Sequence, residues 1–247
     1  MTTDRIRHEI KLRWNKINSN HKKDFPDAYL DDIVNDTIND YIEIFYSGNN
    51  SKKYKLGFEV TQQRIDMLST LVVPFKSAAT TLVSPTIYKL ELSSLDPQYK
   101  HFVRARVIAP ECTFRLPIDI VRHNDIDTKL EDNNTKPSLK WRRVLGTIKQ
   151  GNNGPALYIY TSSEFTAPNI EIEYLRKPNK FFSSGYSTLE FLKGDSSAYQ
   201  STDPAVTADI PEDYHYLLVD MVVQNIARIL EDNNKFTLTE EKTFRST

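Results

Sequence analysis

The run Ile170-Glu171-Ile172-Glu173-Tyr174-Leu175-Arg176-Lys177-Pro178 alternates apolar and charged side chains and then stops at a proline. Successive side chains of an extended chain point to opposite faces, so the alternation predicts a half-buried strand with one wet face. Toward the N-terminus the same period recurs four times. Leu157 and Ile159 alternate with Tyr158 and Tyr160, and Phe114, Leu116, Ile118 and Ile120 with Arg115, Pro117 and Asp119. Val103, Ala105 and Val107 alternate with Arg104 and Arg106, and Tyr88, Leu90 and Leu92 with Lys89 and Glu91. Asn152-Asn153-Gly154-Pro155 between two such runs reads as a hairpin turn, and Pro117 inside its run suggests an edge strand or a bulge. Five or six antiparallel strands without intervening helices predict a sandwich or open barrel over residues 74–182.

On both sides of this region the period becomes helical. Ile6, Ile10, Trp14 and Ile17 share one helix face, and a polar break follows from Asn18 to Asp24. Pro26 suits the first turn of a second helix, whose stripe is Leu30, Ile33, Val34, Thr37, Ile38, Tyr41, Ile42 and Phe45; Ser47 and Gly48 end it. A shorter helix is expected over Thr61–Leu71, with Ile65, Leu68 and Val72 inward. Residues 183–209 show no sustained period and read as a long loop. Pro211 then opens a helix over 210–234 with Tyr214, Leu217, Leu218, Met221, Val222, Ile226, Ile229 and Leu230 on one side, stopped by Asp232-Asn233-Asn234. Residues 235–247 form an extended arm. The expected fold is α+β: a discontinuous helical domain (1–73 completed by 210–234) with an inserted antiparallel β-sandwich or open barrel.

Composition narrows function. The chain has 247 residues, 39% of them hydrophobic, a low share that points to extended or partner-covered surface. Lys plus Arg is 32 and Asp plus Glu 33, for a net charge of -1, so no basic excess exists to hold nucleic acid through its phosphates. The single cysteine, Cys112, excludes an internal disulfide framework and reads as a small packed residue inside a strand. Met1 to Trp14 is charged, without the apolar core of a secretory signal, and no run is long enough to span a membrane, so a cytosol-like compartment is expected.

The constellations that chemistry requires are missing. His8, His21, His101, His123 and His215 form no ligand-spaced pair, no Gly-rich phosphate loop or Gly-x-Ser-x-Gly elbow occurs, and Cys112 lacks a nucleophile's flanks. Glu171 and Glu173 could serve a glycosidase, but alternating acids on a strand are the ordinary occupants of its wet face. No cofactor and no metal is expected. Two charge features stand out. Asp24, Asp27, Asp31, Asp32, Asp36, Asp40 and Glu43 occupy a stretch without Lys or Arg, and Asp32, Asp36 and Asp40 recur every four residues as a stripe opposite the apolar face. That stripe reads as a solvated helix surface, or as an interface or channel-facing surface. Lys136, Lys140, Arg142, Arg143 and Lys149 surround Trp141, which suits either strand-face charges meeting an acidic neighbour or a grip on single-stranded nucleic acid.

The parts in order resemble a known group. The opening helix followed by Phe25-Pro26-Asp27-Ala28-Tyr29-Leu30-Asp31-Asp32-Ile33-Val34-Asn35 resembles the start of head-to-tail connector proteins of tailed bacteriophages. Ile210-Pro211-Glu212-Asp213-Tyr214-His215-Tyr216-Leu217-Leu218-Val219-Asp220-Met221-Val222-Val223 is similar to the last helix of phage structural proteins. Ile172-Glu173-Tyr174-Leu175-Arg176-Lys177-Pro178, and His123-Asn124-Asp125-Ile126 followed by Lys136-Pro137-Ser138 and Trp141, look like ring proteins of crAss-like phages. The resemblance implies a virion protein, assembled in the host cytoplasm as a homo-oligomeric, commonly dodecameric ring in the neck. It would contact the portal and neighbouring ring and tail proteins, with double-stranded DNA passing through without sequence-specific binding. No catalytic residues come with it. Asp32, Asp36 and Asp40 are then candidate interface residues, and Phe236, Leu238 and Phe244 candidate anchors of a docking arm. Two rival readings are a carbohydrate- or receptor-binding β module using exposed Tyr158, Tyr160, Tyr186 and Tyr199, and a carboxylate hydrolase.

Overall fold

A computed structural model describes residues 1–17, 27–47, 62–151, 153–183 and 204–229. The fold is α+β with an open barrel, and the chain divides into two compact units: Met1–Leu71 with Pro178–Thr247, and Val72–Lys177.

The first unit is helical. It comprises α1 (Thr3–Ile17), α2 (Asp27–Ser47), α3 (Gln62–Met67) and α5 (His215–Ile229), with single 3-10 turns at Ser69–Leu71 and Glu212–Tyr214. Ile6, Ile10 and Trp14 of α1 are buried, as are Leu30, Ile33, Val34, Thr37, Ile38, Tyr41, Ile42 and Phe45 of α2. Both helices pack against α5. That helix is covered on nearly all sides, burying Val219, Val223 and Ala227 as well as the stripe from Leu217 to Ile226, as a helix central to its unit must be. Ile229 lies outside this core at 49% exposure, a departure from the sequence reading. Polar cross-links fix the packing. Asn225 Nδ2 donates to Thr37 Oγ1 at 2.9 Å, Arg13 pairs with Asp220, and Arg7 and Lys11 both pair with Asp27. The expected 61–71 helix is shorter: it gives way to a 3-10 turn, and Val72 already belongs to a strand. Pro26, Gly48, Leu230, most of the 183–209 loop and all of 235–247 lie outside the described residues.

The second unit contains eight strands: β1 (Val72–Ala79), β2 (Thr81–Ser84), β3 (Ile87–Glu91), β4 (Tyr99–Ile108), β5 (Leu116–Ile120), β6 (Val144–Gly151), β7 (Gly154–Tyr160) and β8 (Asn169–Arg176). They form one strongly curled sheet in the order β1-β8-β4-β5-β6-β7-β3-β2. Its concave core joins Leu90, Val107, Leu116, Ile118, Leu157, Ile159, Ile172 and Tyr174. All pairs are antiparallel except β5 with β6, so the expectation of antiparallel pairing without intervening helices needs correction. The parallel pair needs a crossover, and that crossover carries α4 (Ile126–Glu131). Ile126 packs with Val121, Leu145 and Tyr160, so α4 covers the opposite face of the sheet locally.

Pro117 is not on an edge. Leu116 and Pro117 pair with β4, and Ile118–Ile120 pair with β6, so the proline sits where the strand changes partner. A proline that does lie on an edge is Pro74, in β1, where the register shifts between Val73 and Lys76. Gly146 permits the close approach of the parallel pair: a Cβ there would stand 2.6 Å from Ile118 Cγ2. Gly154, at φ 127°, follows the hairpin turn between β6 and β7. Cys112 is half-buried in the connection between β4 and β5 rather than inside a strand.

Candidate functional site

The seven acids around α2 divide into separate tasks. Asp27 is held by Arg7 and Lys11 of α1. Asp31 is buried, and its carboxylate accepts hydrogen bonds from Ser183 N at 2.7 Å and Ser183 Oγ at 2.9 and 3.0 Å. One turn on, Asn35 Nδ2 donates to Phe181 O at 2.9 Å while Asn35 Oδ1 accepts from Phe181 N at 2.7 Å. Asp31 and Asn35 thus clamp the segment that re-enters the helical unit after the insert. Phe181 and Phe182 are buried there, and Phe182 pairs with Val206. Sequence reasoning missed this clamp; the signal available was two short polar side chains at i and i+4 on a helix face otherwise apolar.

What remains is an outward stripe. Asp36 and Asp40 are exposed, Asp32 is half-buried, and Asp24 lies outside the described residues. Tyr29, seven residues before Asp36 and on the same face, is exposed at the head of the stripe. The candidate anchors Phe236, Leu238 and Phe244 lie outside the described residues.

In the insert, Trp141 stands at the tip of a tight loop. Ser138 and Arg143 exchange backbone hydrogen bonds at 3.0 Å each, and Arg142 N donates to Leu139 O at 3.1 Å. Arg142 closes the loop at φ 50°, a left-handed conformation costing a non-glycine residue on the order of 1 kcal/mol. The loop is anchored from below. Glu164 Oε2 accepts from Leu139 N at 2.9 Å and from Ser138 Oγ at 3.3 Å, and Arg143 Nη1 donates to Asn134 O at 2.5 Å. Trp141 is 67% exposed, with Lys140 Nζ 5.3 Å from its ring. Arg142 lies over the Phe114 ring at 4.3 Å.

The basic cluster of the sequence is therefore only partly assembled around Trp141. Lys136 donates to Asn133 Oδ1 at 2.7 Å, and Lys149 sits over the rings of Tyr158 and Tyr160. Lys140 and Arg142 are the cations that flank the indole.

Glu171 and Glu173 do not converge on a pocket. Arg104 Nε meets Glu173 Oε2 at 2.5 Å, and Arg106 and Arg115 reach Glu171 at 3.4 and 3.2 Å. The pairs follow from register, with Arg104 opposite Glu173 and Arg106 opposite Glu171, and both guanidinium groups lie over Phe75. A depression of about 830 Å³ in the helical unit does bring two acids together, Glu212 and Asp213, beside Met1, Arg5 and Tyr216. The Met1 ammonium, 3.1 Å from Glu212, holds that carboxyl below the usual range, opposite to what a general acid needs. The tyrosine platform of the sugar-binding reading is likewise absent among the described residues. Tyr160 is buried under α4 and Tyr158 is half-buried under lysines, while Tyr186 and Tyr199 lie outside them.

Leu82 (62% exposed) and Val83 (56%) occupy β2, the last strand of the sheet. An open strand edge with exposed apolar side chains is a ready surface for pairing with another chain. Among the described residues, no group of His, Cys, Asp and Glu is placed to hold a metal ion, and no helix is long and apolar enough to cross a membrane. No protein-family model matches the chain, and no curated protein matches it.

Proposed function

We propose that the chain is a structural subunit of a tailed-phage neck, forming an oligomeric ring that extends the DNA channel below the portal and joins capsid to tail. One contrast carries the reading. The acids that sequence inspection offers for chemistry are tied up in structural pairs, whereas large apolar side chains stand exposed on a loop tip and an edge strand. A catalyst concentrates perturbed, convergent groups in a pocket; an assembly subunit keeps anchors on its protruding elements. The order of parts, helices, β insert and a returning helix, is that of the connector proteins the sequence resembles. A net charge of -1, with no basic excess, suits a channel subunit that DNA passes without being held.

The test is electron microscopy of the purified full chain, alone and mixed with portal assemblies from its own phage. The expected result is a ring with a central opening that stacks on the portal. A monomer that neither closes into a ring nor binds the portal would refute the proposal.

A further inference from the structure

We infer that the Trp141 loop of one copy docks on the acidic stripe of α2 in the next copy; this rests on the ring reading and names its subunit contact. The argument begins with how the chain treats its charges. Arg104, Arg106 and Arg115 meet Glu173 and Glu171, Arg13 meets Asp220, and Lys89 meets Glu91. Among the described residues, Lys140 and Arg142 have no carboxylate partner, and Asp36 and Asp40 have no cationic one. Other charges also lie outside the ion pairs, Asp119, Arg122 and Asp127 among them, but these two sets are of opposite sign.

Each set also comes with an aromatic. Trp141, 67% exposed, lies between Lys140 and Arg142 on a loop that Glu164 and Asn134 hold in place. Tyr29 heads the stripe that runs through Asp36 to Asp40, about 16 Å of helix at a rise of about 1.5 Å per residue. Tryptophan between cations is the composition of an interface anchor, and an acidic helix with an exposed tyrosine is its electrostatic and apolar complement. The loop belongs to the insert and the stripe to the helical unit, so the contact joins two different patches of identical chains. Such a head-to-tail contact repeats from copy to copy and closes into a ring when the rotation divides a full turn.

The experiment uses the full chain carrying Trp14→Phe, which leaves Trp141 as the sole tryptophan, since the chain has two. Self-association is followed by sedimentation and by the emission wavelength of Trp141, with circular dichroism as the fold check. Emission should shift to the blue as copies associate. Reversing the stripe (Asp36→Lys with Asp40→Lys) or the loop (Lys140→Glu with Arg142→Glu) should each weaken association by about tenfold or more. The chain carrying all four reversals should regain it, because stripe and loop are again complementary. If Arg142→Glu disturbs the loop, Lys140→Glu alone takes its place, both as the loss variant and in the combined chain.

Association that persists in both reversed variants, or is not restored by combining them, overturns this contact while leaving the ring reading intact. A wild-type chain that stays monomeric and does not bind the portal overturns both. Quenching of Trp141 by a single-stranded oligonucleotide, unaffected by the stripe reversal, would assign the loop to nucleic acid and overturn the contact.

Discussion

Asn35→Ala is expected to loosen the re-entry of the chain into the helical unit, and the cost follows from its two hydrogen bonds to Phe181, the third, from Nδ2 to Asp31 O at 2.9 Å, lying within α2. Asn35 accepts from Phe181 N at 2.7 Å and donates to Phe181 O at 2.9 Å. Each bond contributes about 1 kcal/mol net, and each partly buried backbone group left without a partner costs about 1–3 kcal/mol. Water reaching part of the gap offsets some of this, so the expected loss is about 2–4 kcal/mol. Asn35→Asp separates hydrogen bonding from side-chain size. A carboxylate keeps the acceptor for Phe181 N but points a second acceptor at Phe181 O, so at neutral pH it should destabilise at least as much as alanine. Protonated below about pH 4, the same side chain can donate again and should recover part of the loss. Urea unfolding followed by Trp14, 3% exposed in the helical core, reads the transition of this unit when Trp141 is replaced by Phe. A loss below about 0.5 kcal/mol for Asn35→Ala, within the range of ordinary surface substitutions, would show that the clamp does not hold the return segment.

Gly146→Ala should destabilise the insert by about 1–3 kcal/mol through overpacking against Ile118, measured as a fall in its thermal or urea midpoint; an unchanged midpoint would mean that β5 and β6 can move apart freely. Burial holds His215 below the ordinary histidine value of 6.5, aided by the nearby Met1 ammonium and opposed by its bond to Ile210 O and by Glu212. The folded chain therefore favours the neutral ring, and the unfolded chain takes up the extra proton. This contribution to stability is complete above about pH 6.5 and is lost as pH falls toward the lower folded value, at no more than about 1.4 kcal/mol per pH unit. A His215→Gln chain should show a flatter stability profile across that window, and identical profiles would refute the assignment. Glu171→Gln should cost less than about 1 kcal/mol, because its arginine partners are substantially exposed; a larger loss in urea unfolding would mean that the pairs carry the sheet.

Much of the fold was legible because its elements are amphipathic. The helical stripes of α1 and α2 and the alternation of β3, β4 and β8 report one dry and one wet face; β5 and β7 follow it only in part, since Ile120 is exposed and Tyr160 is buried. β6 was implied only by the hairpin turn at Asn152–Pro155 and showed no alternation of its own, because Val144, Leu145, Gly146 and Thr147 are buried in succession. β1 was obscured by Pro74 at its irregular register, and β2 by its four residues with both apolar side chains exposed. For the surfaces, sequence identified the acids of α2 and the cations near Trp141 but not their division. Whether Asp31 or Asp32 faces the returning chain depends on a segment about 150 positions away (|i−j| of 152 for Asp31 and Ser183). Which lysines stay beside Trp141 depends on the rings of β7 that capture Lys149.

The central place of α5 has a consequence for biosynthesis. α1 and α2 emerge from the ribosome long before the helix they pack against, while the insert between them has all its strands once residue 176 has been made. Translation therefore supplies a closed order of events: the β unit can mature on the nascent chain, and the apolar faces of the early helices wait for His215–Ile229. An α2 without its support cannot present its outer acids in register. The surface proposed to receive the neighbouring copy thus becomes competent only after His215–Ile229 has been made, so its docking waits for that helix.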